Sequence, residues 1–258
     1  MLQQGFVLEN HKVADDVFRM RVHTENIAAT VTPGQFVMLK CWDGHDPFLM
    51  RPFSINSANS EKSEIEILYK VVGKGTRIMA NLKEGEKLNL LGPLGKGFPL
   101  KENAKRIALI GRGIGMAPLR FLAERAVERG ILVHAYLSSS SPDHLYDKAI
   151  YESLNIPVSY TVQSNELVTD LFKKDLESLQ FDAAYLCGSK RLMRQTDALA
   201  DLHKFEAYVS VEEHMACGMG ACKSCTCKLQ KESGEKYDGY VCKDGPVFAI
   251  KRLVAEHV

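Results

Sequence analysis

Five of the seven cysteines fall within the 26 positions from Cys217 to Cys242. Three stand in the run Cys217-Gly-Met-Gly-Ala-Cys222-Lys-Ser-Cys225, and Cys242 follows after sixteen intervening residues. This C-x4-C-x2-C…C spacing is the plant-type arrangement for a 2Fe–2S cluster, whose two irons and two sulfides take four thiolates from one tight loop and one distant position. Gly218 and Gly220 permit positive φ, so the loop can turn its N–H groups toward the sulfurs. Hydrogen bonds of that kind favour the reduced, more negative cluster and tune its potential. Cys227, two residues beyond Cys225 on a strand-like Thr-Cys-Lys-Leu run, is read as packing rather than ligation. Two other readings compete: a structural zinc site, which ordinarily pairs two short knuckles where this chain has one, and plain surface thiols. His214 is read as a surface residue, because four thiolates already suffice. Met215 and Met219 are read as an apolar cover or a docking surface.

The second chemistry in the chain is phosphate binding. Arg51-Pro52-Phe53-Ser54 opens a strand, and Leu68-Tyr69-Lys70 runs through Gly73-Lys74-Gly75-Thr76 into a helix start. Backbone N–H groups at such a start suit a phosphate. Gly92-Pro93-Leu94-Gly95-Lys96-Gly97 is a further glycine-rich loop. Taken singly, each of these reads equally as a turn without a ligand. A third segment, Gly111-Arg112-Gly113-Ile114-Gly115-Met116-Ala117-Pro118, lies between an apolar strand and a helix. It is not the Rossmann G-x-G-x-x-G, and no acidic residue closes the following strand. Gly111, Gly113 and Gly115 would still allow a pyrophosphate to approach, with a ligand-free strand-to-helix turn as the alternative.

The elements that must position these residues change rhythm near residue 100. Strands are expected at 5–8, 17–22, 35–40, 53–56, 64–72 and 87–91, several with period-2 alternation, and a short helix at 76–82. Six such strands predict a small antiparallel β-barrel. Beyond it, strands at 106–110, 131–137, 157–162, 183–187 and 207–211 alternate with helices at 117–129, 147–154, 169–179 and 191–202, which predicts a doubly wound parallel α/β domain. The expected division is residues 1–100, 101–207 and a 2Fe–2S module over 208–258.

Composition narrows the classes. Lys plus Arg number 33 against 32 Asp plus Glu, so the basic excess needed for nucleic acid is missing. No apolar run approaches the ~18 residues of a membrane span, and the start has no secretory pattern, so a cytoplasmic location is expected. In that compartment clustered thiols call for a metal rather than disulfides.

Arg51-Pro52-Phe53-Ser54, the Gly73–Thr76 turn and the Gly111–Pro118 loop together resemble the ferredoxin–NADP reductase superfamily. The resemblance implies an FAD-binding barrel. Arg51 would face the FAD pyrophosphate, and Pro52, Phe53 and Ser54 would lie by the flavin. Leu68, Tyr69 and Lys70 would line its ring and ribityl chain, and Gly75 and Thr76 would take phosphate. It also implies a pyridine-nucleotide loop at Gly111, Gly113 and Gly115, with Cys187 beside the nicotinamide. Arg112 departs from the expected glycine and either crowds this site or adds a phosphate contact. Ser138 to Ser141 carry no Arg for a 2′-phosphate, which favours NADH.

With the terminal cysteine run added, nearly the whole chain resembles the dihydroorotate dehydrogenase B electron transfer subunits. That family implies electron flow from NADH through FAD and the 2Fe–2S cluster to an FMN-containing dihydroorotate dehydrogenase catalytic subunit. The setting is pyrimidine biosynthesis, in a heterotetramer with two copies of each subunit. A reductase subunit serving a different flavoprotein or ferredoxin, and an iron–sulfur redox sensor, are the competing readings.

Overall fold

In the computed structural model, which describes residues 1–163 and 166–254, alternating side chains build the first domain. Its strands are β1 (Leu2–Ala14), β2 (Val17–His23), β3 (Phe36–Lys40), β4 (Arg51–Ser54), β5 (Ser57–Asn59), β6 (Glu64–Lys70) and β7 (Lys87–Leu94). They form an antiparallel sheet in the order β4-β3-β7-β1-β2-β6-β5, with helices α1 (Glu25–Thr30) and α2 (Lys74–Ala80) at its ends. Met20, Val22, Ile65, Ile67 and Tyr69 all turn into its core, as period-2 strands require. Two register shifts in β1 increase its bend. The sheet curls until Asn56 N, just past β4, donates to Glu66 O of β6 at 2.8 Å, which closes the barrel. The strand expected at 53–56 lies instead at Arg51–Ser54, and β5 is an additional short strand turned back onto β6.

The second domain is a parallel sheet of β8 (Arg106–Arg112), β9 (Leu132–Ser139), β10 (Val158–Val162), β11 (Ala183–Cys187) and β12 (Glu206–Ser210). Helices α3 (Ala117–Glu128), α4 (Lys148–Ser153), α5 (Val168–Asp175) and α6 (Lys190–His203) make the crossovers. The order β10-β9-β8-β11-β12 reverses between β8 and β11, the switch point where open α/β sheets bind ligands. A 3₁₀ turn over Gly113–Met116 takes the glycine loop directly into α3.

The last segment forms the hairpin β13 (Thr226–Gln230) and β14 (Lys236–Tyr240), one helical turn α7 (Val241–Asp244), and β15 (Val247–Ala249). β15 pairs antiparallel with β12, Tyr208 against Ala249 and Ser210 against Val247, so the C-terminal segment completes the edge of the α/β sheet. Among the described residues no helix is long and apolar enough to cross a membrane.

Barrel and α/β domain are joined by a nearly dry ionic network. Asp147, fully buried before α4, accepts from Arg19 Nη2 of β2 at 2.6 Å and from Asn56 Nδ2 at 3.1 Å. Arg120 of α3 pairs with Glu66 of β6 and, at 2.9 Å, with Glu124. Burial pushes the Asp147 and Glu66 carboxyls up, and the two arginines pull them back. Removing one partner from such a network leaves an uncompensated buried charge. Asp147→Ala should therefore lower the unfolding free energy by roughly 3–5 kcal/mol. Breaking the exposed Lys231–Glu235 pair should cost less than about 1 kcal/mol. Denaturant unfolding of the two variants checks this, and equal losses would show that the network contributes nothing special.

The cysteine loop is seated on the barrel. Gly218 has φ +72°, and a Cβ there would fall 2.6 Å from Met38 Cγ of β3 and 3.1 Å from Leu94 Cδ1 of β7. Gly234, in the β13–β14 turn, has φ +83° but open space around it. Alanine at Gly234 costs only the backbone strain, about 1–2 kcal/mol. Alanine at Gly218 adds a steric clash, so its melting temperature should fall several degrees further than that of Gly234→Ala. Equal melting temperatures would mean the loop is not held against the barrel.

Candidate functional site

Three cavities follow one another along the C-terminal ends of the parallel strands. The first, about 240 Å³, lies between the barrel and the α/β domain. Its walls include Pro52, Phe53 and Ser54 of β4, Leu68, Tyr69 and Lys70 of β6, and Ile114 and Ala117 at the start of α3. The Phe53 and Tyr69 rings meet edge to face at 5.8 Å, and the Tyr69 hydroxyl donates to Asn10 Oδ1 at 3.0 Å. These contacts fix two aromatic side chains in the wall. Arg51 stands next to this cavity rather than in its lining. Its Nη1 donates to Leu49 O at 2.6 Å and its guanidinium lies over the Trp42 ring at 5.8 Å.

Gly75 and Thr76, both buried in the first turn of α2, belong to the Arg51 side of the site. A Cβ on Gly75 would lie 3.0 Å from the Trp42 ring and 3.6 Å from Arg51 Cγ, so glycine is what allows that close stacking. Thr76 Oγ1 accepts from the N–H groups of Val72 and Gly73, both at 3.0 Å, and holds the turn closed. Trp42 is thus the residue that links Arg51 to the helix start. Sequence reasoning passes over it because a lone Trp in a loop has no pattern.

The second cavity, about 460 Å³, is lined by Arg112, Gly113, Gly115, Cys187 and Ser210, with Glu212 and Glu213 at its edge. Gly111 lies beneath it, packed on Met116. A Cβ on Gly115 would come within 2.8 Å of Cys187 O, so the turn after β8 approaches the end of β11 this closely only with glycine there. Burial pushes the Cys187 thiol well above its ordinary range, helped by the Glu212 carboxylate, which makes it a neutral packing group and not a nucleophile. Glu212, an exposed residue, opens onto both this cavity and the first, and partial desolvation there raises its carboxyl. The third cavity, about 280 Å³, is lined by Ser138, Ser139, Ser140, Thr161 and Arg191. Ser210, Glu212 and Glu213 follow the end of β12, and their one legible signal is that position at the C-terminal edge of a parallel sheet.

Beyond the first cavity, past Met215 in its wall, come the thiols. Cys225 and Cys242 are buried, Cys217 half-buried and Cys222 exposed. Cys217 interacts with Cys222, and Cys242 with Cys225 and more weakly with Cys217. Backbone N–H groups point at the sulfurs: Met219 N and Cys222 N at 3.5 and 3.4 Å from Cys217 Sγ, Gly220 N at 3.0 Å from Cys242 Sγ, and Cys242 N at 3.4 Å from Cys225 Sγ. Gly218 and Gly220 take φ +72° and +85°, the left-handed conformations that bring these donors round. Burial works to raise the Cys217 thiol, but the Cys222 and Met219 N–H groups prevail and bring it down to about 6. Burial and the neighbouring Cys225 push Cys242 up to about 12. Among the described residues no three His, Cys, Asp or Glu side chains group around a single metal ion. Cys227 is buried against the core, which raises its thiol to about 11, and the exposed His214 uses its carbonyl to accept from Ser224 Oγ at 3.1 Å.

Comparison with known proteins agrees with this arrangement. Residues 5–98 match the oxidoreductase FAD-binding domain, and residues 212–254 match the iron–sulfur cluster binding domain of dihydroorotate dehydrogenase B. The dihydroorotate dehydrogenase B (NAD(+)) electron transfer subunits of Bacillus mycoides (strain KBAB4) and Bacillus cereus (strain B4264) are each 36% identical to it over 262 residues, covering 98% of this chain and 99% of theirs. Among solved structures, one of an NADH-dependent reduced ferredoxin-NADP oxidoreductase superposes with a TM-score of 0.85 at 24% identity, covering 98% of this chain and 90% of that one. The ferredoxin NADP+ reductase of Neisseria gonorrhoeae with bound FAD and NADP gives 0.62 at 18% identity, over 78% and 91%. At these identities the two structures establish the fold. The Bacillus relatives align end to end, and on that similarity the chain belongs to the family of dihydroorotate dehydrogenase B electron transfer subunits.

Proposed function

We propose that this chain takes electrons from NADH and delivers them, through FAD and a 2Fe–2S cluster, to an FMN-containing catalytic subunit that interconverts dihydroorotate and orotate. The pair would form a heterotetramer with two copies of each subunit. One observation carries the reading: the cavity walled by Ser54 and Tyr69 lies between the Cys187 cavity and the cysteine loop. It shares Ile114, Ser210, Val211, Glu212 and Glu213 with the former and reaches Met215, two residues from Cys217, on the other side. When bound, FAD would supply acceptance of one hydride, two electrons together, and the cluster single-electron transfer, which is the division of labour the family's partner needs.

The chain's own residues hold and orient. Arg51 presents a planar fork suited to a pyrophosphate, stacked on Trp42 so that it keeps one direction. Pro52 and Phe53 with Leu68 and Tyr69 supply an apolar slot for an aromatic ring system, and Ser54 and Lys70 add polar atoms at its edge. Gly113 and Gly115 let a dinucleotide lie close to the start of α3, and Cys187 closes the floor. Cys217 with Cys222 would hold one iron, and Cys225 with Cys242 the other, while the N–H groups on their sulfurs stabilise negative charge.

Oxygen-free protein should show flavin and iron–sulfur absorbance that bleaches with NADH. Reconstituted with its catalytic subunit, it should couple NADH oxidation to orotate reduction. Cys222→Ser should retain bleaching at the flavin band while coupled turnover drops by at least tenfold. Unchanged coupled turnover in Cys222→Ser would mean that electrons reach the partner without the cluster.

A further inference from the structure

Arg112 is exposed at the end of β8, and the role assigned above to the nucleotide loop makes no use of its side chain. We propose that Arg112 clamps the pyrophosphate that joins the two halves of the bound dinucleotide, an inference that rests on the NADH reading of this site.

Two cavities meet here, and Arg112 and Ser189 are the residues that line both. The larger cavity reaches the flavin side through Glu212 and carries Cys187, so it has the position and depth for the nicotinamide half. The smaller is lined by the polar residues Ser138, Ser139, Ser140 and Thr161, a setting that suits a ribose and a purine edge. A dinucleotide spanning both must carry its two phosphates past the junction. Of the junction residues, Ser189 is already engaged, its hydroxyl accepting from Leu192 N at 3.3 Å to cap α6. Arg112 is not. It is an exposed residue, and no hydrogen bond or ion pair holds its side chain among the described residues. Arg19 and Arg120, by contrast, are each bound to carboxylates.

Neighbouring charge leaves the guanidinium available to an anion. Glu166, in the smaller cavity, is paired with Lys174 at 2.7 Å. Glu212 and Glu213 line the larger cavity and the flavin cavity but not the smaller one. Arg191 lines the smaller cavity and not the larger one. Of the two arginines, only Arg112 stands at the link between the halves. A planar fork with several donors matches a pyrophosphate better than an ammonium does.

The test uses flavin-loaded protein, NADH as reductant and ferricyanide as acceptor, with ADP-ribose as a competitive inhibitor that keeps the pyrophosphate and lacks the nicotinamide. A charge-assisted hydrogen bond lost from this position corresponds to about a tenfold change. Arg112→Gly should raise the KM for NADH and the Ki of ADP-ribose together by about that factor, with the loss falling on KM rather than kcat. Arg112→Lys should fall between the two. An unchanged or lower KM in Arg112→Gly would overturn the inference, since the side chain then crowds the site or does nothing. A loss confined to NADPH would also overturn it, because it would move Arg112 to the 2′-phosphate. If NADH fails to bleach the flavin of the unaltered protein, the NADH reading itself fails, whatever Arg112 does.

Discussion

The pairing of β15 with β12 is the constraint on which the site depends. β12 ends at the mouth of two cavities, and the chain then leaves through Glu212, Glu213 and Met215 to the first cysteine. It must come back with the fourth. Ser210 opposite Val247 brings it back, so α7, which carries Cys242, lies beside the start of the loop. Cys242 N then reaches Cys225 Sγ, and Gly220 N reaches Cys242 Sγ. Two short strands thus convert a sequence separation of sixteen residues into a shared pocket. The same pairing keeps that pocket next to the barrel cavity, which no local motif could do.

The second constraint is the fixed relation of barrel to α/β domain. A cofactor site built from both halves keeps its shape only if they do not slide. Asp147 and Glu66, with Arg19, Arg120 and Asn56, tie β2, β6 and α3 together in a place with little water. Ion pairs in such surroundings are costly to bury and specific in geometry, so they define one docking arrangement rather than add much stability. The loop around the exposed Phe48 is pinned beside the site, with buried Trp42 Nε1 donating to Pro47 O at 2.6 Å.

Much of this was legible in the residues. Period-2 runs located most of the barrel strands, and the strand–helix alternation gave the parallel sheet, because both patterns report burial on a regular backbone. The cysteine spacing singled out the iron–sulfur segment that the family match places at residues 212–254, since sulfur chemistry tolerates few residue types. What could not be read were contacts between distant segments. β15 is three residues long and β5 equally short, too brief for periodicity. Glu212 carries no motif, and its importance comes from where β12 ends. Trp42 matters through Arg51 and Gly75, which lie on other elements. Arg112 was visible as a departure from a glycine pattern, but its place between two cavities required the fold.

The account rests on paired thiolates holding two irons. Metal and acid-labile sulfide analysis of protein purified without oxygen tests this most directly. Two irons and two sulfides per chain, with both lost together in Cys242→Ser, is the predicted result. One zinc per chain, or no metal with the four thiols freely titrated, would contradict it.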